Sequence, residues 1–446
     1  MAFLKFGRKK RRVFVLSIDG VPHSFLKSQM DQGRFPHLAG LAGEGAFSRM
    51  RSVYPTISSV AWSSFMTGKN PAKHGIFGFV DHRPNSYDAF IPTSLNMTSK
   101  TLWEILSEAG KKVVVINVPV TYPPRAVNGI LVSGFLASSL KKATYPAEVS
   151  GQLEKMGYRI DADAAIARES LDRFLEDLHL TLEKRVQALH HFMDHQPWDY
   201  FHMHIMGTDR INHFMWEHME QGHARYAPAF LKYYDRIDEI IGELTGKLGD
   251  EVTFVLMSDH GFCTVKKEVN LNRYLIDQKL LQFDQHPPGG LGDIDSRSRA
   301  YALIPGRVYI NLKGREPKGG VDPSDYERVR DEVAAALLDL RLPETGQQVI
   351  EKVFKREEIY RGDNLPAAAD LMAIPFDGYD LKADVRKENL SEKTALVGMH
   401  TYDDASLFIR GQSSIRENVE IIDLLPTILS LMDVPVPEDV DGRVAV

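Results

Sequence analysis

Cysteine is almost missing from this chain: Cys263 is the single one in 446 residues. That excludes an intrachain disulfide framework and a cysteine-built zinc site, and it fits a reducing, cytoplasmic setting. Cys263 itself reads as a small packing residue. Long apolar runs are also missing. With no stretch of 18 or more apolar residues, no helical membrane span is expected. Met1–Gly7 is too short and too charged for the apolar core of a secretory signal, so the mature chain is expected to start there. Charge of one sign is not in excess either. Lys and Arg number 54 against 60 Asp and Glu, a formal net charge of -6, so stable nucleic-acid binding is not expected. The basic cluster Lys5, Arg8, Lys9, Lys10, Arg11 and Arg12 reads as a solvated tail over residues 1–12. Internal repeats and low-complexity tracts are absent.

What the chain does contain is an ordinary globular composition, 43% hydrophobic and 26% charged. Its length suits two compact units or one large unit with an inserted cap. Val13–Asp19 is a short apolar, β-branched run that reads as a buried parallel strand delivering Asp19 at its carboxyl end. Similar runs occupy 112–118, 199–206 and 252–259, and helical patterns fill 100–109, 169–195 and 227–248. This alternation predicts an α/β fold, a doubly wound and mostly parallel sheet flanked by helices. Ligands in such sheets gather at the carboxyl ends of the strands. Residues 268–392 break the rhythm with Pro287-Pro288-Gly289-Gly290, Gly319-Gly320, a strand at 307–312 and a helix at 325–340. They read as an inserted α+β cap lobe, with 13–267 and 393–446 forming the core. Insertions of this kind often carry substrate selectivity.

Seven side chains of metal-ligand type fall on five short segments: Asp19, Ser58, Asp209 with His213, Asp259 with His260, and His400. Pro55 stops any preceding helix and 60–67 has helical spacing closed by Gly68, so Ser58 and Ser59 fall near a helix N-terminus. There, free amides and the positive dipole end suit an alkoxide and a phosphoryl oxygen. A serine hydroxyl is a weak nucleophile at neutral pH, and no Ser-His-Asp arrangement is visible to activate it. Two divalent cations about 3.5–4 Å apart can do so and can stabilise both oxygens of an in-line displacement. Carboxylates and imidazoles are suitable ligands for such ions. Asp209 and His213, four residues apart, share a face if their segment is helical.

Each piece also has a plainer reading. Asp19-Gly20 after a strand is commonly a turn, and Asp209/His213 alone is commonly a surface pair. Ser258–Gly261 is harder to explain so, because adjacent ionisable groups are costly in a core unless engaged. His202 and His204, alternating on one strand, read as packed histidines, with a hydrogen bond to a ligand as the alternative. His74 reads as architectural, Lys69 and Lys73 as weak phosphate contacts, and Asp403 and Asp404 as turn carboxylates.

The motifs Val15–Gly20, Phe35–Ala46, Pro55–Trp62, Thr67–Ile76, Ser258–Gly261, Gly398–His400, Asp423–Leu429 and Asp441–Arg443 resemble the alkaline phosphatase superfamily. Within it the chain is most similar to the type I phosphodiesterase/nucleotide pyrophosphatase branch and its prokaryotic phosphohydrolase and phosphomutase relatives. The resemblance implies that Asp19, Asp259 and His260 hold one metal, bridged or capped by Ser58. Asp209, His213 and His400 would hold the other. It implies two divalent ions, Zn²⁺ or Mn²⁺, and Ser58 attacking phosphorus to form a phosphoseryl intermediate that water then hydrolyses. The expected activity is that of a phosphodiesterase or nucleotide pyrophosphatase on a small phosphoester, nucleotides included, with homo-oligomerisation left open. A phosphomonoesterase or phosphomutase on the same scaffold is the alternative, and a non-catalytic phospholigand sensor is a third reading. The sulfatase pattern around the nucleophile is absent. The choice of ester is expected to lie at Ala61, three residues after Ser58, and in the inserted lobe.

Overall fold

The computed structural model describes residues 11–446, so most of the basic tail lies outside the described residues. Eight strands form the central sheet, in the order 45–50, 405–410, 252–257, 12–18, 200–205, 113–116, 129–132 and 144–145. The five from 252–257 to 129–132 run parallel, while 405–410 and 144–145 are antiparallel to their neighbours. Strand Arg12–Ile18 sits between Tyr200–Ile205 and Val252–Met257, which brings three carboxyl ends side by side.

Burial on both sheet faces explains why these strands are apolar throughout rather than alternating. Phe14, Leu16 and Ile18 enter one hydrophobic cluster, with Leu171–His195 and Tyr226–Lys247 contributing from their helices. Val13 and Val15 enter the opposite one, packed with Trp62 and Phe65 of helix Ser58–Thr67. At roughly 1.5–3 kcal/mol for each fully buried large aliphatic or aromatic side chain, these two layers supply the main stabilisation of the scaffold. The helical expectations at 100–109, 169–195 and 227–248 correspond to Leu102–Glu108, Leu171–His195 and Tyr226–Lys247.

Residues 300–375 build a separate antiparallel sheet in the order 300–303, 307–310, 371–375 and 350–355. Helix Tyr326–Leu338 lies on it, and Val308, Ile310, Val333 and Leu371 share its hydrophobic cluster. A three-stranded sheet of 379–382, 267–270 and 391–392 joins the same hydrophobic cluster through Val269, Tyr379 and Leu381. Among the described residues, no helix is long and apolar enough to cross a membrane.

Candidate active site

Three carboxylates mark the carboxyl ends of three neighbouring strands. Asp19 follows Arg12–Ile18, Asp259 follows Val252–Met257 after Ser258, and Asp209 sits in the first turn of helix Gly207–Glu220 after Tyr200–Ile205. All three are buried. The turn beyond Asp19 requires glycine: Gly20 has φ +65°, and a Cβ there would meet the Phe262 ring at 2.8 Å. The Gly20 amide donates to Asp259 Oδ1 at 3.1 Å, tying the ends of two strands together.

Helical geometry brings Asp209 and His213 together, with His213 Nε2 3.3 Å from Asp209 Oδ1. His400 arrives on strand Gly398–Thr401, which pairs antiparallel with Gly261–Thr264 and sets His400 opposite Phe262. That short ladder returns the chain, after the lobe, to the turn holding Asp259 and His260. The His260 and His400 rings stack with centroids 3.7 Å apart. His400 Nε2 lies 3.2 Å from Asp209 Oδ1 and 3.0 Å from His213 Nε2.

Ser58 occupies the first position of helix Ser58–Thr67, and Ile57 before it provides no side-chain cap. The first amides of the helix therefore remain suited to an anion. Ser58 Oγ donates to Asp19 Oδ1 at 3.1 Å and lies 3.4 Å from His260 Nε2. All seven residues singled out in the sequence thus meet in one place. Two of the groupings, Asp19/Asp259/His260 and Asp209/His260/His400, have ligand atoms within 4.8 Å of one another.

The donor set fits cations. Each histidine Nδ1 faces a backbone carbonyl: His213 toward Gly398 and His400 toward Thr56 at 2.9 Å, His260 toward Gly261 at 3.0 Å. A carbonyl only accepts, so each Nδ1 carries hydrogen and each neutral ring offers an Nε2 lone pair. Those lone pairs meet other acceptors: His213 and His400 face each other, and His260 Nε2 is 3.5 Å from Asp19 Oδ1 and 3.4 Å from Asp259 Oδ2. Asp259 Oδ2 is buried with no hydrogen-bond partner. Two like charges some 4–5 Å apart at an effective dielectric near 20 repel by roughly 3–4 kcal/mol. A divalent ion between such groups removes both the repulsion and the unmet lone pairs.

Protonation in the metal-free protein reflects the same imbalance. Burial and the neighbouring Asp19 carboxylate push Asp259 well above the usual carboxylate range. Burial and the adjacent His400 lower His260 to about 3. Burial also acts to lower His400, but the Asp209 carboxylate outweighs it and raises the imidazole's pKa.

A cleft of about 620 Å³ opens beside this edge. His213, His400, Thr56 and Ile57 line one side; Met372–Asp377, Tyr379 and Glu351 line the other. Tyr54 and Tyr402, stacked at 4.2 Å, also line it.

The expectations for Ala61, Lys69 and Lys73 need correction, while those for His74, Asp403 and Asp404 as non-catalytic residues agree with the structure. Ala61 is fully buried in the helix interior among core side chains, so it cannot select the ester. Lys69 pairs with Asp439, and Lys73 pairs with Asp441 at 2.5 Å, so both cations serve the C-terminal segment and not a phosphate. Asp404 is a structural acceptor for the Ser24 amide at 3.2 Å and for Arg49 at 3.0 Å; Asp403 is exposed and lines the cleft. His74 is buried against Ser64 Oγ at 3.0 Å. Trp62 was missed: its indole N–H donates to Asp19 Oδ2 at 2.8 Å. The signal was present, since Trp62 follows Ser58 by four residues and shares its helix face.

Among solved structures, murine ectonucleotide pyrophosphatase / phosphodiesterase 5 is 15% identical with a TM-score of 0.57 and 98% of each chain covered. An inactive variant of that protein has been solved in complex with AMP. Phosphonoacetate hydrolase from Sinorhizobium meliloti 1021, in complex with phosphonoacetate, is 17% identical with a TM-score of 0.66, covering 96% of this chain and 98% of its own. At these identities the likeness establishes the fold. No curated protein sequence matches significantly. Residues 13–403, nearly the whole chain and every ligand-type residue described above, match the sequence description "Type I phosphodiesterase / nucleotide pyrophosphatase", and the chain therefore belongs to that family of phosphoester hydrolases.

Proposed function

We propose that the chain is a metal-dependent phosphodiesterase in which Ser58 is the nucleophile. The observation that carries this reading is the position of Ser58 Oγ, at a helix N-terminus and 3.1 Å from Asp19, on the rim of a buried carboxylate and imidazole cluster that needs cations. Asp19, Asp259 and His260 would hold one divalent ion, and Asp209, His213 and His400 the other, Zn²⁺ or Mn²⁺ by their nitrogen and oxygen ligands. Bound there, the ions would lower the pKa of the serine hydroxyl and balance the charge on the phosphoryl oxygens.

The chain's own part is positional. The helix holds Ser58 at the cluster, and its unfilled first amides can donate to a phosphoryl oxygen. Attack by Ser58 Oγ on phosphorus forms the phosphoserine bond and breaks the bond to the leaving alcohol, which departs with a proton. Water then cleaves phosphoserine and regenerates the hydroxyl.

The cleft supports a diester over a monoester, because its volume beside His213 and His400 accommodates a second organic group. Its charge disfavours polyphosphates. Glu351, Asp377 and Asp403 line it without an ion-pair partner among the described residues, while Lys382 is already held by Asp380 at 2.6 Å. Although its side chain reaches solvent, the pKa of Asp377 is raised by partial desolvation at the cleft and by Asp403 and Glu351, so these carboxylates sense one another. We assign ester selection to the wall supplied by residues 268–392, with Asp403 of the core at its margin, for this reason. The test is turnover of bis-p-nitrophenyl phosphate, p-nitrophenyl phosphate and a nucleoside triphosphate with Zn²⁺ or Mn²⁺. Preference for the diester is expected. Preference for the monoester, or phosphoryl exchange between alcohols, would replace this reading with a phosphatase or a mutase.

A further inference from the structure

A line of buried polar groups runs under the sheet from Tyr200 to Asp19. Tyr200 Oη lies 3.1 Å from His202 Nδ1, and His202 Nε2 lies 2.8 Å from Ser17 Oγ. Ser17 Oγ lies 3.0 Å from His204 Nδ1, and His204 Nε2 lies 3.3 Å from Asp19 Oδ2. All five side chains are fully buried, and parallel pairing sets Ser17 directly beside His204. Asp19 Oδ2 also accepts from the Trp62 indole at 2.8 Å, while Asp19 Oδ1 faces Ser58 and His260.

The donor inventory gives this line a preferred direction. His204 Nε2 stands within ion-pair range of Asp19 Oδ2 without a formed hydrogen bond; because a carboxylate only accepts, the tautomer that suits this pair carries hydrogen on Nε2 and leaves Nδ1 to accept. Ser17 therefore donates to His204, His202 Nε2 donates to Ser17, and Tyr200 donates to His202. In this arrangement the three hydrogen bonds from Tyr200 to His204 point toward Asp19, and Ser17 Oγ also lies 3.4 Å from the Met203 carbonyl. Reversing any one leaves a buried donor facing a donor or a lone pair facing a lone pair, at a cost of about 1–3 kcal/mol.

We infer that His204 and Trp62 are positioning residues that fill Asp19 Oδ2 from the protein side, leaving Oδ1 alone to face the metal cluster, with Ser17 setting the tautomer of His204. This inference rests on the metal assignment proposed above. Outer partners that orient a ligand typically change metal affinity by about 10–100-fold, and here the change should fall on one ion only. Asp209, His213 and His400 touch none of these residues, so the second ion is an internal reference.

The experiment is Zn²⁺ titration of metal-free protein against a competing chelator, comparing wild type with His204→Phe, His204→Gln, Trp62→Phe and Ser17→Ala. Wild type should bind two ions. In His204→Phe and Trp62→Phe the affinity for one ion should fall about 10–100-fold, with the other within a factor of about two. His204→Gln, whose amide can donate from the Nε2 position, should recover most of the loss. Ser17→Ala should weaken the same ion although Ser17 does not reach Asp19; it and the Gln variant keep the test valid if His204→Phe fails to fold. Equal weakening of both ions, or unchanged binding in all four variants, would overturn the inference. A wild type that binds no ion overturns the metal assignment itself and this inference with it.

Discussion

The carboxyl edge of the central sheet and the lobe wall that faces it are made of the same residue types under opposite conditions. At the edge, Asp19, Asp209 and Asp259 are buried, held by backbone amides, an indole and imidazoles, and placed by strands whose ends cannot move independently. On the wall, Glu351 and Asp377 are exposed, on a lobe with its own antiparallel sheet. Burial makes an unbalanced carboxylate costly, so at the edge it implies a cation; exposure makes it cheap, so on the wall it only shapes the field met by a ligand. On the reading proposed above, chemistry and selectivity are separated in space. Changes at the edge should affect every substrate alike, and changes on the wall should affect substrates differently.

The largest expected effect is at the edge. Ser58→Ala should lower turnover of every ester by at least roughly 10³-fold while leaving metal content near that of wild type, as measured by steady-state kinetics and metal analysis. Substrate-dependent loss would break the comparison by giving Ser58 a selective role instead of a chemical one. Chelation should come next: activity on all substrates should fall to background and return with Zn²⁺ or Mn²⁺, and activity in metal-free protein would contradict the cation cluster.

The raised pKa of Asp259 gives the edge a pH signature. A carboxyl group held above its usual range in metal-free protein carries a proton that a cation must displace, so apparent metal affinity should rise with pH. Calorimetry in buffers of different ionisation enthalpy should show protons released on binding. Proton uptake would reverse the assigned sign.

Around the cleft, combining Glu351→Gln and Asp377→Asn on the wall with Asp403→Asn at its margin should improve kcat/KM for a nucleoside triphosphate by up to about tenfold relative to bis-p-nitrophenyl phosphate, the scale of three partly screened charges. Equal change for both substrates would move selectivity away from the wall. The smallest effect is expected at Lys69→Ala. Its pairing with Asp439 is peripheral to the site, so kinetics should stay within about twofold and stability within roughly 1 kcal/mol.

Much of the edge was legible in the chain. Short apolar runs located three strand ends, two of them closing in Asp19 and Asp259, and the spacing of Asp209 and His213 pointed to their shared helix face. The wall was not. Ala61 and Lys69 looked relevant because they are near Ser58 in sequence, yet one faces the core and the other faces the C-terminal segment. Trp62 has a helical offset from Ser58 that could have been read, but its hydrogen bond to Asp19 depends on how the helix packs against the first strand.

By itself, then, the sequence determined the alternation of elements and the residue types of the cluster. These follow from local periodicity and composition, which the chain carries residue by residue. Tertiary structure decided which lone pairs face each other, which oxygen of Asp19 is filled from behind and which carboxylates look into the cleft. Those are relations between segments far apart in the chain, set by sheet order and by the ladder that returns His400 beside His260. No local pattern encodes them, because burial and mutual orientation exist only once the strands have paired.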